Sequence, residues 1–227
     1  MSKKDLLVEI GTEELPPKAL LSLSEHFQQA IASGLAKHNL SFEGSVSFAS
    51  PRRLAVIVNN LQEKQDASEV EKFGPALKAA FDGDGNPTKA AEGFARSCGV
   101  TVKELQEKDD GKVIKLFYSE TRAGQNATEL LPDIINAALA SLPIPRRMRW
   151  GSSRHEFVRP VHWAVLLFGE EVIPATILGI ETGNATRGHR FHHPQSIELN
   201  SPADYETTLE KTAYVIASFA TRKDKIR

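Results

Sequence analysis

Cysteine is almost missing from this 227-residue chain: Cys98 stands alone. That excludes an intrachain disulfide and a zinc centre built on cysteines. Long apolar runs are missing too. Nothing approaches the roughly 20 residues of a membrane span, and Leu6 to Ile10, near the start, is too short for the apolar centre of a secretory signal. Glycine-rich phosphate loops of the G-x-x-x-x-G-K-[ST] or G-x-G-x-x-G kind do not occur. No G-x-S-x-G nucleophile elbow appears, and there is no internal repeat or low-complexity tract. These absences predict a reduced, cytoplasmic protein with no membrane segment and no catalytic residue of its own.

What is present is an ordinary globular composition, 41% apolar and 25% charged, with a net charge of −1. The length suits one large domain or two small ones. The charge is unevenly spread. Gln62 to Asp110 holds eleven acids and seven bases, whereas Arg146 to His193 holds seven arginines, no lysine and four acids. Five of the seven histidines lie in that second region, and Arg146 to Trp163 alone contains five arginines and both tryptophans. Arginine used to the exclusion of lysine points to planar, bidentate contacts with phosphates or carboxylates. Phosphate on a ligand and carboxylate on a neighbouring domain are both open readings.

Periodicity gives the elements. Leu6–Ile10 reads as a strand, and Pro16-Pro17 opens a helix with apolar positions at Leu20, Leu23, Phe27, Ile31 and Leu35. Ser45–Ala49 and Leu54–Asn59 read as strands around a Ser50-Pro51-Arg52-Arg53 turn with the arginines at or near its tip. After Leu61 the chain turns polar. Thr88 starts a helix that Gly99 stops, and Thr101-Val-Lys-Glu104 has the capping-box pattern of another. Lys112–Ser119 reads as a strand returning to the first layer. Asn126 begins a helix that carries Pro132 in its first turns and ends before Pro143, and Val161–Phe168 is a buried strand. Ser201-Pro-Ala-Asp204 begins a last helix, with a stripe through Tyr205, Leu209, Ala213, Ile216 and Ala220, that reads as cut short at Arg227. The expected fold is α+β: a mixed or antiparallel sheet layer with packed helices, formed by residues 1–60 and 112–227, and a small acidic helical insert at 61–111.

Several clusters invite a chemical reading. His189, His192 and His193 form an HxxHH group that could hold zinc in a metal-dependent hydrolase, but Pro194 follows directly and no carboxylate stands at ligand spacing. A basic loop is the better account. Asp82-x-Asp84-x-Asn86 imitates half a calcium loop, yet its sixth position is Pro87 and its twelfth Gly93, so it is read as a turn. Glu9, Glu13 and Glu14 could pair as acid and base, although acids between a strand and a helix start more often complement a dipole or meet a partner. Cys98 is read as packing. No nucleophile, base and oxyanion site assemble.

Six stretches taken together resemble one family. They are LLVEIGTEELPPKAL at Leu6–Leu20, SPRRLAV at Ser50–Val56, NPTKAAEGFARSCGV at Asn86–Val100, PIPRRMRWG at Pro143–Gly151, FVRPVHW at Phe157–Trp163 and TRGHRFHHP at Thr186–Pro194. The chain resembles the N-terminal portion of the β subunit of bacterial glycyl-tRNA synthetase. The resemblance implies a part of an α2β2 heterotetramer that joins glycine to tRNA(Gly), with ATP and magnesium at an active site on the α subunit. It implies tRNA binding by β and carries no catalytic residue onto this chain. The chain is expected to stop before the family's β subunit does. Within it, Arg52, Arg53, Arg146, Arg147, Arg149, Arg159, Arg187 and Arg190 are the candidate phosphate contacts, because they concentrate in three loops. Trp150 is a candidate for stacking on an unpaired base, and Trp163 is expected in the core. A contact with the α subunit or a second β is the competing role for these arginines. A free-standing assembly or RNA-binding module is the alternative to a synthetase role.

Overall fold

The computed structural model describes residues 2–109 and 111–227. The chain divides into two compact units, one of Met1–Gln65 with Gln125–Arg227 and one of Asp66–Gly124.

The larger unit begins with strand β1 (Lys3–Thr12), helix α1 (Pro17–Lys37), β2 (Gly44–Ser50) and β3 (Arg53–Gln62). Pro17 occupies the first turn of α1, where its missing N–H costs nothing. The buried face of α1, Leu20, Leu23, Phe27, Ile31 and Leu35, is the one that its 3.6-residue period dictates. β2 and β3 join through a two-residue turn, with Ser50 opposite Arg53. β3 lies antiparallel against β1, which is therefore inside the sheet.

The smaller unit comes next: β4 (Ser68–Ala76), α2 (Leu77–Ala80), α3 (Lys89–Cys98), a 3₁₀ turn at Val102–Glu104, β5 (Gln106–Asp109) and β6 (Ile114–Arg122). It is not purely helical. β6 pairs with β4 and β5 in a three-stranded sheet of its own, so Lys112–Ser119 does not return to the first layer. Gly99 stops α3 in the left-handed conformation, as its position suggests. The Thr101–Glu104 capping box forms, but it closes a single 3₁₀ turn rather than a helix. Asp82 accepts the backbone N–H groups of Asp84 and Asn86 in an exposed turn, and these donors lower its pKa.

The larger unit then resumes with α4 (Ala127–Ala140), β7 (Met148–Arg149), β8 (Glu156–Phe157), β9 (Val161–Phe168), β10 (Glu171–Val172), β11 (Thr176–Ile177), β12 (Ile180–Gly183), β13 (Ala185–Arg187), β14 (Ser196–Glu198), α5 (Tyr205–Lys211) and α6 (Phe219–Ile226). The main sheet has seven strands in the order β11-β12-β9-β1-β3-β2, with β10 also on β9. β12 runs parallel to β9 and the other pairs are antiparallel. The fold class is therefore α+β, with a mixed sheet.

β1 is buried on both faces, and its alternation sorts the core into two. Leu6, Val8 and Ile10 join Leu54, Val56, Ala164 and Leu166 in the cluster that includes the inner faces of α1 and α4. Leu7 joins Ala55, Val165 and Leu167 in a second cluster with Leu199, Tyr205 and Leu209. Gly34 allows α1 and α4 to meet, since an added Cβ would fall 2.7 Å from a methyl of Ile134.

The last helix departs from its periodic stripe. α5 ends at Lys211 and α6 starts at Phe219, with Tyr214 at φ 57° between them. The intervening segment is drawn off by better partners. Ala213 O accepts from His189 N, and Ala217 O accepts from Ala49 N at the end of β2. Ala213 and Ala217 stay in the second cluster without a helix to carry them.

Gly11 faces Trp163 across the β1–β9 pair, and a Cβ at Gly11 would lie 1.9 Å from the indole. Gly11→Ala is expected to cost about 1–3 kcal/mol through overpacking, read as a lower urea midpoint. Gly34→Ala should cost less, because a methyl can shift and alanine favours the helix by about 1 kcal/mol.

Candidate functional site

The site is built around a carboxylate closed off from solvent. Glu9 lies in the middle of β1 with 0% of its surface exposed. Its Oε1 accepts from Trp163 Nε1 on β9 and from Thr186 Oγ1 on β13, the latter at 2.6 Å. Its Oε2 faces Nη1 of Arg53 on β3 at 3.3 Å. Arg53 is itself 1% exposed; it also donates to Thr186 Oγ1 at 3.1 Å and to the Arg187 carbonyl. An ion pair this deep is sustained only by such extra bonds. Beside it the Tyr205 phenol is fully buried, its hydroxyl close to Glu9 and Arg53 but in no hydrogen bond of good geometry among the described residues. Burial, then the Glu9 carboxylate, pushes its pKa well above 10.0.

Three guanidinium groups gather around Trp163, with Arg187 at 5.4 Å, Arg53 at 5.6 Å and Arg52 at 6.0 Å from the ring. These are cation–π distances. The same end of the sheet is fastened by main-chain bonds. Thr12 N and Leu15 N donate to the Arg52 and Pro51 carbonyls, and Glu13 N donates to the Pro160 carbonyl. Glu13 then collects three partners at its carboxylate: the His162 imidazole at 2.9 Å and the guanidinium groups of Arg52 at 3.8 Å and Arg190 at 4.0 Å.

On the surface near this cluster, three concavities share wall residues and so adjoin one another, together making up a furrow. A cavity of about 460 Å³ is lined by Arg52, His189, Arg190, Phe191, Tyr214 and Arg222 among others. It shares Glu14, Pro51 and Arg190 with a shallower depression that also contains Arg159. That depression shares Pro16 and Arg159 with a cleft of about 440 Å³, walled by Pro143, Ile144, Pro145, Arg146, Arg147 and Met148.

The nine sequence candidates separate by position. Arg52, Arg146, Arg147, Arg159 and Arg190 line the furrow. Arg53 lies beside the turn tip and borders the 460 Å³ cavity, but it opens β3 with its guanidinium turned inward, so its charge is spent on Glu9. Arg147 also binds the end of α4, donating to the Ala140 and Leu142 carbonyls at 2.8 and 3.5 Å, where a cation suits the helix dipole. Arg159 donates to the Glu14 carbonyl at 3.0 Å. Arg149 pairs with Glu156 at 2.6 Å across the β7–β8 ribbon and lies outside the furrow. Arg187 is exposed against the Trp163 ring, Trp150 is half-buried against the main core, and Trp163 is 6% exposed.

Among the described residues no three His, Cys, Asp or Glu side chains converge to hold a metal. In the HxxHH loop, His189 Nδ1 accepts the N–H groups of Phe191 and His192. The rings of His189 and His192 pack at 4.5 Å. That loop is a fixed turn rather than a ligand set.

Residues missed by sequence reasoning are Phe191, 82% exposed, and Tyr214, 62% exposed. The signal for Phe191 was in plain view, a phenylalanine inside a basic loop that carries no apolar period. Arg222 was read as part of a helical end. It is partly buried, which lowers its pKa, and it donates to the Ile216 carbonyl at 2.7 Å.

Comparison with known proteins agrees over the whole chain. The model of the family described as glycyl-tRNA synthetase beta subunit matches residues 6–227. The glycine–tRNA ligase beta subunit of Hahella chejuensis is 56% identical over 227 residues, all of this chain and 33% of the relative. Those of Marinobacter nauticus and Coxiella burnetii are 50% and 48% identical over the same lengths and shares. The chain thus spans about a third of the length of the curated relatives it matches.

Glu9→Gln leaves the Arg53 charge buried without its counter-ion and is expected to cost about 3–5 kcal/mol, seen in the urea midpoint. Pairing it with Arg53→Met should recover part of that loss. Tyr205→Phe removes a hydroxyl in no hydrogen bond of good geometry and should change stability by less than about 1 kcal/mol at neutral pH. The native phenol keeps its proton where the unfolded chain loses its own, so wild-type stability falls as pH rises past 10.0. The Phe variant should lack that part of the alkaline loss in pH-dependent unfolding.

Proposed function

The chain belongs to the glycyl-tRNA synthetase β-subunit family, and from that premise we propose that it serves as the N-terminal portion of a glycine–tRNA ligase β subunit whose furrow receives the tRNA backbone. The enzyme would join glycine to tRNA(Gly) as an α2β2 heterotetramer in the cytoplasm. Glycine activation with ATP and magnesium is assigned to the α subunit. This portion supplies no catalytic residue and takes part in positioning the tRNA. The relatives' name, glycine–tRNA ligase beta subunit, supports the substrate.

The observation that carries the reading is the continuity of the furrow, with Arg52, Arg190, Arg159, Arg146 and Arg147 spaced along it. Backbone phosphates are recognised by arginines held in register, and such contacts set orientation without reading sequence.

A second reading has its own support at the far end. Met148 is 38% exposed beside Pro143 and Pro145 in the 440 Å³ cleft, an apolar surface suited to a protein contact. That end would meet the α subunit.

Arg190→Ala and Arg146→Ala are each expected to weaken tRNA binding and to lower the slope of log affinity against log salt by about 1. The readout is filter binding or anisotropy across a salt series. An unchanged slope in both variants, with association to the α subunit lost in Arg146→Ala, would replace the RNA reading of that end with the assembly reading. No described helix is long and apolar enough to cross a membrane.

A further inference from the structure

The 460 Å³ cavity at one end of the furrow differs from the rest in carrying exposed aromatic rings. Phe191 and Tyr214 both line it and are 82% and 62% exposed. Neither sits on a loose segment. The Phe191 turn is closed by His193 N donating to the His189 carbonyl at 2.9 Å and anchored by His189 N on the Ala213 carbonyl at 2.8 Å. Gly188 lets the turn fold this tightly, since a Cβ there would fall 2.6 Å from the His193 carbonyl oxygen. Tyr214 is held at φ 57°, a conformation that a bulky residue adopts only when its surroundings impose it. The rings form a ledge. Phe191 lies 6.2 Å from His189, His189 lies 4.5 Å from His192, and His192 lies 6.1 Å from Tyr214.

Cations surround this ledge. Arg52, Arg190 and Arg222 line the cavity, and Arg52 Nε is buried without a hydrogen-bond partner. The acids nearby are Glu14 on the cavity wall and Glu13, which already has His162, Arg52 and Arg190 around it. The volume lies within the roughly 300–1,000 Å³ of pockets that take small organic groups.

We propose that this cavity takes an unpaired nucleotide of single-stranded RNA, its base stacked on Phe191 or Tyr214 and its flanking phosphates on Arg52, Arg190 and Arg222. The inference rests on the reading of the furrow as an RNA surface and names the form of RNA bound at its end. A duplex keeps its base faces stacked and offers them to no side chain, whereas splayed bases stack on aromatic rings with little regard to sequence. Exposed rings without adjacent arginines would suit a protein partner. Rings interleaved with three arginines suit a polyanion with flat faces.

The test is fluorescence anisotropy of this chain with a labelled single-stranded RNA hexamer, an RNA duplex of equal phosphate count, and tRNA. The hexamer should bind more tightly than the duplex. Phe191→Ala should weaken hexamer binding about tenfold or more, while leaving duplex binding and the thermal midpoint unchanged. Phe191→Trp should retain it. Tyr214→Asn, which tolerates the left-handed backbone, should weaken the hexamer in the same way. Hexamer affinity that is unchanged in both ring-removing variants overturns the proposal. If tRNA binds with a salt slope that Arg190→Ala lowers, but the hexamer does not bind, the furrow reading stands and this one falls. If neither RNA binds, both fall. If the ring variants lose the α subunit and keep both RNAs, the ledge is a protein contact and the proposal is overturned.

Discussion

The structure depends on one buried carboxylate. Glu9 interrupts the apolar run of β1 at the centre of the sheet, and its neighbours from β3, β9 and β13 are Arg53, Trp163 and Thr186. A buried ion pair is a poor source of net stability, because desolvation offsets most of the attraction. Its use here is to fix geometry. A slip of β1 by one residue would turn Glu9 into the cluster under α1 and α4, among Leu54, Val56 and Leu166, with no cation to meet it. The polar group thus excludes wrong registers that an all-leucine strand would tolerate. Once Arg53 and Trp163 are fixed, the β2–β3 turn and the start of β9 are fixed with them, and the arginines at the surface inherit their positions.

Much of this was legible from local pattern. The helical period of α1, the both-faces-buried Val161–Phe168 strand and the β2–β3 hairpin follow from apolar spacing and turn residues. What escaped were pairings set by distant parts of the chain. The Lys112–Ser119 strand has the right composition for a strand, but composition does not say which edge it joins, and it joined β4 and β5. The stripe from Tyr205 to Ala220 has helical spacing, yet main-chain partners at His189 and Ala49 took the middle of it. In the second case tertiary hydrogen bonds outweighed a local helix preference worth a few tenths of a kcal/mol per residue.

Arg52 and Arg53 show how a site becomes half legible. Both belong at or near the turn tip by sequence, and one residue of shift separates an outer arginine from an inner one. Strand alternation held a clue: Arg53, Ala55 and Ile57 share a face, and Glu9 lies on the matching face of β1 opposite Ala55. The pairing of Glu9 with Arg53 spans 44 positions, so only the register of the sheet reveals it. Trp163 was placed in the core correctly. That its ring is what the arginines gather around was not visible, because Arg52 and Arg53 lie more than 130 residues from Arg187 in the sequence.

The arginines therefore work in two tiers. The inner tier, Arg53 with the Trp163 ring, is consumed by the protein and gives the surface its shape. In the outer tier, Arg147 and Arg159 hold backbone carbonyls, whereas Arg52 and Arg190 are only loosely engaged. Arg52 and Arg190 stand 3.8 and 4.0 Å from Glu13, longer than the 2.7–2.9 Å of a tight charge-assisted bond, and partly exposed pairs of this kind contribute about 0–1 kcal/mol. Exchanging such a contact for a phosphate gives up little in the free protein. The Glu13 carboxylate keeps His162 at 2.9 Å when the arginines turn away, so it is not left without a partner. An acid at the edge of the furrow thus holds the Arg52 and Arg190 guanidinium groups in place without engaging them strongly. On the proposed reading, a surface of modest net charge would then suit an anion through the position of each cation rather than through an excess of charge.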